Sequence, residues 1–192
     1  MTRRGVYPGS FNPPTVAHIA VAEAARHQHR LDSVDLVVSQ VALAKEDVVH
    51  PRFDHRMEVL AEVASSRPWL TASVTGHQLL ADIAQGYDLL VVGADKWDQI
   101  QELRWYADAG DRAAQLDRLP QVAVVDRPPH HVPTELRLHL PEHQSGLFAE
   151  VSSTGARSGN VEWMLPEARE FDERTGAWTD PARYQSWMAA AD

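Results

Sequence analysis

Short runs of β-branched and other apolar residues alternate along this chain with stretches of helical patterning, the signature of repeated βαβ units and a parallel sheet. The apolar runs predict strands near Arg4–Tyr7, Val34–Ser39, Leu70–Val74, Leu89–Val92 and Val122–Val125, with a last one near Leu147–Val151. "DLLVVGAD" is apolar on both faces, as a central parallel strand is. Helices are predicted over Val16–His29, Asp54–Ser65, His77–Gln85 and Gln99–Leu116, the last with a break at Gly110. Pro166 suits a first helical position in "LPEAREFDERTG", with Gly176 as the stop, and Pro181 repeats the signal in "TDPARYQSWMAAA". The stretch "DRPPHHVPTELRLHLPEHQSG" reads as loop around one short edge strand. The expected architecture is a doubly wound α/β domain, one unit over residues 1–192, with an α/β core to about residue 160 and C-terminal helices beyond it. Its ligands belong at the carboxyl ends of the strands.

Composition narrows the function. With 44% hydrophobic and 23% charged residues in 192, the chain reads as an ordinary soluble domain with a proper core. A net charge of −9 argues against a basic nucleic-acid surface. No apolar run approaches the ~20 residues of a membrane span, and "MTRRGVYPGSF" lacks the apolar core of a signal peptide, so a cytoplasmic protein without membrane or nucleic-acid partners is expected. The absence of cysteine removes disulfides and thiolate metal sites. Only two of the 18 basic residues, Lys45 and Lys96, are lysine, so a lysine in a suggestive place stands out.

Four stretches carry candidate chemistry. In "GVYPGSFNPPTVAHIAVAEAA" a strand is followed by a loop longer than a plain βα turn, stiffened by Pro8, Pro13 and Pro14, and then by an Ala-rich helix. Polar groups are thereby held at a helix mouth, where unpaired N–H groups and the dipole favour an anion. Thr15 and His18, three apart, face the same way there; the spacing alone fits a Thr N-cap and a surface His equally well. "AEVSSTGARSGN" places Ser153 and Thr154 at a second helix start with Arg157 one turn in, which on its own reads either as a second oxyanion cradle or as a Ser/Thr cap with a solvated Arg. "VVGADKW" ends a strand in Gly93 and Asp95, able to offer backbone to a base and a carboxylate to a sugar hydroxyl, or simply a capped turn. The histidine pairs His27/His29 and His130/His131 lack metal-site geometry: the first diverges on a helix and the second lies in an expected loop without partnering carboxylates, so no protein-held metal is predicted.

"GSFNPPTVAH" closely resembles the signature G-[ST]-F-x-P-x-[TH]-x-x-H of the nucleotidylyltransferase superfamily, whose second half corresponds to the HIGH motif, with Gly9, Ser10, Phe11, Pro13, Thr15 and His18 in register and Ala17 where many members carry Gly. Its "GSFNP" form looks most like nicotinamide mononucleotide adenylyltransferases. "VSSTGAR" is similar to the superfamily's I-S-S-T-x-[IL]-R, with Ala156 in place of Ile or Leu, and "MLPEAREF" resembles L-[VI]-P-x-x-V-x-x-Y only if one residue is dropped, which implies an altered or truncated helix. The resemblance spans Arg4 to about Phe171. It implies a Rossmann-like enzyme of NAD biosynthesis that transfers AMP from ATP to the phosphate of nicotinate or nicotinamide mononucleotide. ATP contacts would come from Gly9, Ser10, Phe11, Thr15, His18, Gly93, Asp95, Arg127, Ser153, Thr154 and Arg157. Catalysis would rest on His18, Lys45 and Arg157, and acceptor binding on Lys45, Arg56 and a stacking tryptophan, Trp105 in preference to Trp97. Mg²⁺ would arrive with ATP, held mainly by phosphates and water. Left open are another small phosphate ester such as phosphopantetheine as acceptor, CTP in place of ATP, a nucleotide-binding module without turnover, and the oligomeric state, a homo-oligomer included.

Overall fold

The computed structural model describes residues 2–40, 51–130, 132–141 and 150–191. Its strands are β1 (Arg4–Pro8), β2 (Ser33–Ser39), β3 (Leu70–Thr75), β4 (Leu89–Gly93), β5 (Gln121–Val125) and β6 (Arg137–Leu138). Its helices are α1 (Val16–His29), α2 (Phe53–Ser65), α3 (Leu80–Ile83), α4 (Ala94–Gln101), α5 (Ala109–Asp117), α6 (Ser153–Arg157), α7 (Pro166–Thr175) and α8 (Pro181–Ala191). The strands form one sheet in the order β3-β2-β1-β4-β5-β6, every neighbouring pair parallel. This is the doubly wound α/β architecture, and the strand order reverses between β1 and β4, where their carboxyl ends open a crevice.

The pleat sorts the strand residues onto two faces. Leu36, Val38, Leu89 and Val91 pack with Val21, Ala22 and Ala25 of α1. The alternate residues Val37, Leu90 and Val92 pack on the other side with Leu80, Ile83 and Ile100. A third cluster joins Val59 of α2 to Ala156, Met164, Ala168, Phe171, Trp178 and Tyr184. The C-terminal helices are therefore part of the packed body.

Four expectations change. The helix foreseen at His77–Gln85 shrinks to Leu80–Ile83, because the preceding residues are tied to the sheet ends: Ser39 Oγ donates to the His77 carbonyl at 2.7 Å and the His77 N–H to Thr75 Oγ1 at 3.1 Å. The single helix at Gln99–Leu116 is replaced by α4, a 3₁₀ turn at Leu103–Trp105 and α5; the break falls before Gly110 because Asp108 caps α5, accepting from the Asp111 N–H at 2.8 Å. The strand expected near Leu147–Val151 falls largely on residues 147–149, outside the described residues, and Val151 itself is not in a strand. The sixth strand is instead the short edge strand of the Pro/His-rich stretch. The helix after Pro166, expected to be altered or truncated, is a regular ten-residue α7 that runs to Thr175 and stops at Gly176 in the left-handed region (φ 75°). Ala168 and Phe171 are buried there, and Ala156 is fully buried in the same cluster. No helix of the described residues is long and apolar enough to cross a membrane.

Candidate active site

The loop after β1 is organised around Phe11. Its ring is 2% exposed and lies edge-on to Tyr7 (centroids 5.7 Å) and His18 (5.0 Å). A Cβ at residue 9 would sit 2.8 Å from that ring, so only glycine lets the chain pass over it. Phe11 itself has φ 42°, a conformation unfavourable for a bulky residue by roughly 1–3 kcal/mol, held by the burial of the ring. Phe11 thus supports the loop and lines neither of the two cavities described below, a correction to its expected contact with ATP.

Two consecutive prolines leave the loop's carbonyls without companion N–H donors, so it can only accept there. The C-terminal segment supplies the donors. Arg157 Nη1 donates to the Asn12 carbonyl, Ser153 Oγ to the Pro13 carbonyl at 2.8 Å, and the Leu165 N–H to the Pro14 carbonyl at 3.1 Å. The indole Nε1 of buried Trp178 donates to Asn12 Oδ1 at 2.6 Å. Trp178 is fixed in turn by Asp172, which accepts its backbone N–H at 2.6 Å. Arg56, expected at the acceptor, instead donates from behind to the Ser10 carbonyl at 3.3 Å and lies over Phe53 (5.4 Å); burial pushes its pKa down.

At the mouth of α1 the Thr15 N–H donates to His18 Nδ1 at 2.9 Å. Because a backbone N–H can only donate, Nδ1 is unprotonated and the ring proton sits on Nε2, making neutral His18 a donor through its far nitrogen. Across the crevice Arg157 Nη2 reaches Thr154 Oγ1 at 3.2 Å. Ser152 Oγ accepts the Gly155 N–H at 3.0 Å, and a Cβ at residue 155 would fall 2.3 Å from the Trp163 ring, so the turn requires glycine.

These elements wall a cavity of about 920 Å³, lined by Gly9, Ser10, Thr15, His18, Gly93, Asp95, Arg127, Ser153, Thr154 and Arg157. Ala17 also faces it. Four cations (Lys96, Arg127, Arg137, Arg157) and two carboxylates (Asp95, Asp126) line it among the described residues, a positive balance inside a chain of net charge −9. Arg127 pairs with Asp95 at 3.5 Å and Arg137 with Asp126 at 3.2 Å. Tyr7 borders the cavity, and burial pushes its hydroxyl pKa up to about 12, with Arg127 pulling down and Asp95 pushing up.

A second cavity of about 120 Å³ adjoins the first, sharing Pro8, Gly9, Ser10 and Lys96. Trp105 and Tyr106 form its far wall. Trp97 lines neither cavity; it packs against the second core cluster, which corrects its place among acceptor contacts. Lys45 lies outside the described residues. His130, expected to lack a carboxylate, has Nδ1 2.6 Å from Asp98 Oδ2, a partner that α4 brings from 32 residues away. The described residues hold no group of three or more His, Asp or Glu able to bind a metal. Asn12, Lys96, Gln99 and Tyr106 were missed in the sequence. Only the scarcity of lysine could have marked one of them.

The sequence that forms this crevice, a positive cavity of about 920 Å³ at the strand-order reversal, is similar to sequences of known proteins. A family model described as cytidylyltransferase-like matches residues 6–157. The chain belongs to this family. It is therefore a nucleotidylyltransferase-superfamily protein, as the two motifs imply, and the model ends on Arg157, the last residue of the second motif. The chain is 27% identical over 200 residues to the nicotinate-nucleotide adenylyltransferase of Bacillus subtilis, covering 93% of this chain and 99% of that one. It is 28% identical over 160 residues to a probable nicotinate-nucleotide adenylyltransferase of Bordetella pertussis, covering 77% of each.

Proposed function

We propose that the protein transfers AMP from ATP to the phosphate of a pyridine mononucleotide, nicotinate or nicotinamide mononucleotide, and releases pyrophosphate. The observation that carries this reading is the pairing of the two cavities. A positive cavity large enough for a nucleoside triphosphate opens, at Pro8–Ser10, into a small one walled by two aromatic side chains. At about 120 Å³ the small one approaches the ~150 Å³ that holds one benzene ring. A flat ring fits such a wall, whereas the flexible chain of phosphopantetheine gains nothing from it. The relatives' names supply the same acceptor class.

In this mechanism no side chain is a nucleophile. The acceptor phosphate attacks the α-phosphorus in line and pyrophosphate departs, so catalysis is positioning plus stabilisation of charge on phosphoryl oxygens. His18 donates through Nε2–H to a phosphoryl oxygen, in the tautomer fixed by Thr15. Arg157 and the backbone N–H groups after Ser152 hold the departing pyrophosphate; the Ser153 hydroxyl, engaged by Pro13, orients the segment. Gly93 and Asp95 receive the adenosine, with Arg127 beside them. Mg²⁺ enters bound to the phosphates and lowers their charge. Incubation with ATP, Mg²⁺ and a panel of acceptor phosphates, followed by pyrophosphate release, tests the reading. Turnover with a pyridine mononucleotide is expected; turnover with phosphopantetheine alone, or none, would refute it.

A further inference from the structure

The loop that leaves β5 buries nothing at its start: Asp126, Arg127, Pro128 and Pro129 are all exposed, and the chain rejoins the core at Val132. A segment without apolar contacts is placed by its polar ones. Asp126 and the Val132 carbonyl are both held by Arg137 of β6. The other side of the loop faces α4, and there two pairs form at matching intervals. Arg127 meets Asp95 at 3.5 Å, and three residues further along both segments His130 Nδ1 lies 2.6 Å from Asp98 Oδ2. The His130 N–H donates to the Arg127 carbonyl at 3.0 Å, so both side chains are carried on one tight turn. An ionised carboxylate only accepts, so His130 Nδ1 carries a proton and donates it to Asp98.

Arg127 and Asp95 line the large cavity, whereas His130 and Asp98 do not. Asp95 Oδ1 lies over Gly93, 2.6 Å from where a Cβ at residue 93 would stand, while Oδ2 turns to Arg127. The orientation of this carboxylate therefore depends on where the loop puts the guanidinium. Asp95 and Asp98, three apart on one face of α4, repel each other unless each has its own partner. Pairs as exposed as these contribute little to stability. Their effect is on geometry: the outer pair latches the loop to α4 and so keeps Arg127 beside Asp95. We propose that His130 and Asp98 are positioning residues which, acting through Arg127, set the protein's grip on the nucleotide donor. The proposal rests on the placement of adenosine at Gly93 and Asp95 given above, and is independent of the acceptor's identity.

Calorimetric titration with ATP and Mg²⁺, without an acceptor, reads this grip directly. One exposed, charge-assisted hydrogen bond translates into a modest factor, so His130→Ala and Asp98→Ala should each weaken ATP binding roughly 3- to 10-fold. The doubly substituted protein should be no weaker than either single variant. His130→Gln, whose amide still donates to Asp98, should keep most of the affinity. With turnover followed by pyrophosphate release, KM for ATP should rise by the same factor, while kcat and the acceptor KM stay within about two-fold of wild type. The deciding background is Arg127→Ala. There His130→Ala should weaken binding no further, because the latch has no guanidinium left to place. A merely structural role would give the same loss in both backgrounds. That result, or unchanged ATP affinity in the alanine variants, would overturn the proposal. Should Asp98→Ala melt early, Asp98→Asn removes the charge while keeping the shape, and a loss in the same direction is expected. Wild-type protein that binds no ATP would overturn the adenosine placement beneath the proposal, and that result appears before any variant is made.

Discussion

One end of the crevice is built largely from two unbroken pieces of chain, residues 7–18 and 151–157, joined directly by the bonds of Ser153 Oγ to the Pro13 carbonyl and of Arg157 Nη1 to the Asn12 carbonyl. The smaller cavity takes two to four residues each from the end of β1 and the loop after it, the end of β2, the stretch around α3, α4 and the chain at Trp105–Tyr106. The first is a device of fixed spacing that holds a charge all nucleotides share. The second is a surface assembled from distant segments, and it differs wherever those segments differ. In the proposed reaction the chemistry common to nucleotides is held locally, and the choice of acceptor is held by the tertiary structure.

If this division is sound, the largest effect belongs to the phosphate end. His18→Ala should lower kcat roughly 10²- to 10³-fold, by analogy with removal of one oxyanion-hole donor, and should lower the melting temperature by only a few degrees, since it also removes the acceptor of the Thr15 N–H. Pyrophosphate release and a thermal melt measure both. A wild-type rate would break the comparison at its root. Arg157→Lys comes next. A point charge cannot hold the Asn12 carbonyl, Thr154 and a phosphate together, so a loss of ~10-fold or more in kcat is expected for every acceptor alike.

The ring end should respond differently. Trp105→Ala should raise the acceptor KM several-fold, in line with ~1 kcal/mol for an aromatic pair, and leave the ATP KM alone. Trp97→Ala should instead lower the melting temperature without touching either KM, since Trp97 packs in the core. A kinetic response at Trp97 with silence at Trp105 would mean the two ends are divided elsewhere. The smallest effect on turnover is expected from Trp178→Phe, which keeps an aromatic ring but removes the hydrogen bond to Asn12 and part of the buried indole. A stability loss of ~0.5–1.5 kcal/mol by chemical denaturation is expected, with a modest fall in kcat for all acceptors.

The same division explains what could be read before the fold was known. The parallel sheet was legible because its strands are apolar on both faces, and the helix at Val16–His29 because it follows a proline-stiffened loop. The placement of Thr15, His18 and Arg157 at the crevice was legible because each motif keeps its polar side chains within one turn of helix. Arg56 and Phe11 were assigned to ligands, whereas they support the loop; residue type and spacing are the same in either role, and only burial separates them. Gln99 had no local mark, and Lys96 only the scarcity of lysine, because the cavity they border exists only once α4 packs beside the 3₁₀ turn. The His130–Asp98 pair was hidden for the same reason.

The proline loop has one consequence in time. Asn12 emerges early in synthesis, but the indole that fixes its side chain is made 166 residues later. At the ~5–20 residues per second of translation, on the order of 10–30 s separate the two. Through that interval the first strand and helix can pair and pack while the carbonyls of Asn12, Pro13 and Pro14 still await their donors. A nascent chain can thus acquire its sheet well before the Asn12–Pro14 loop receives the donors that fix it.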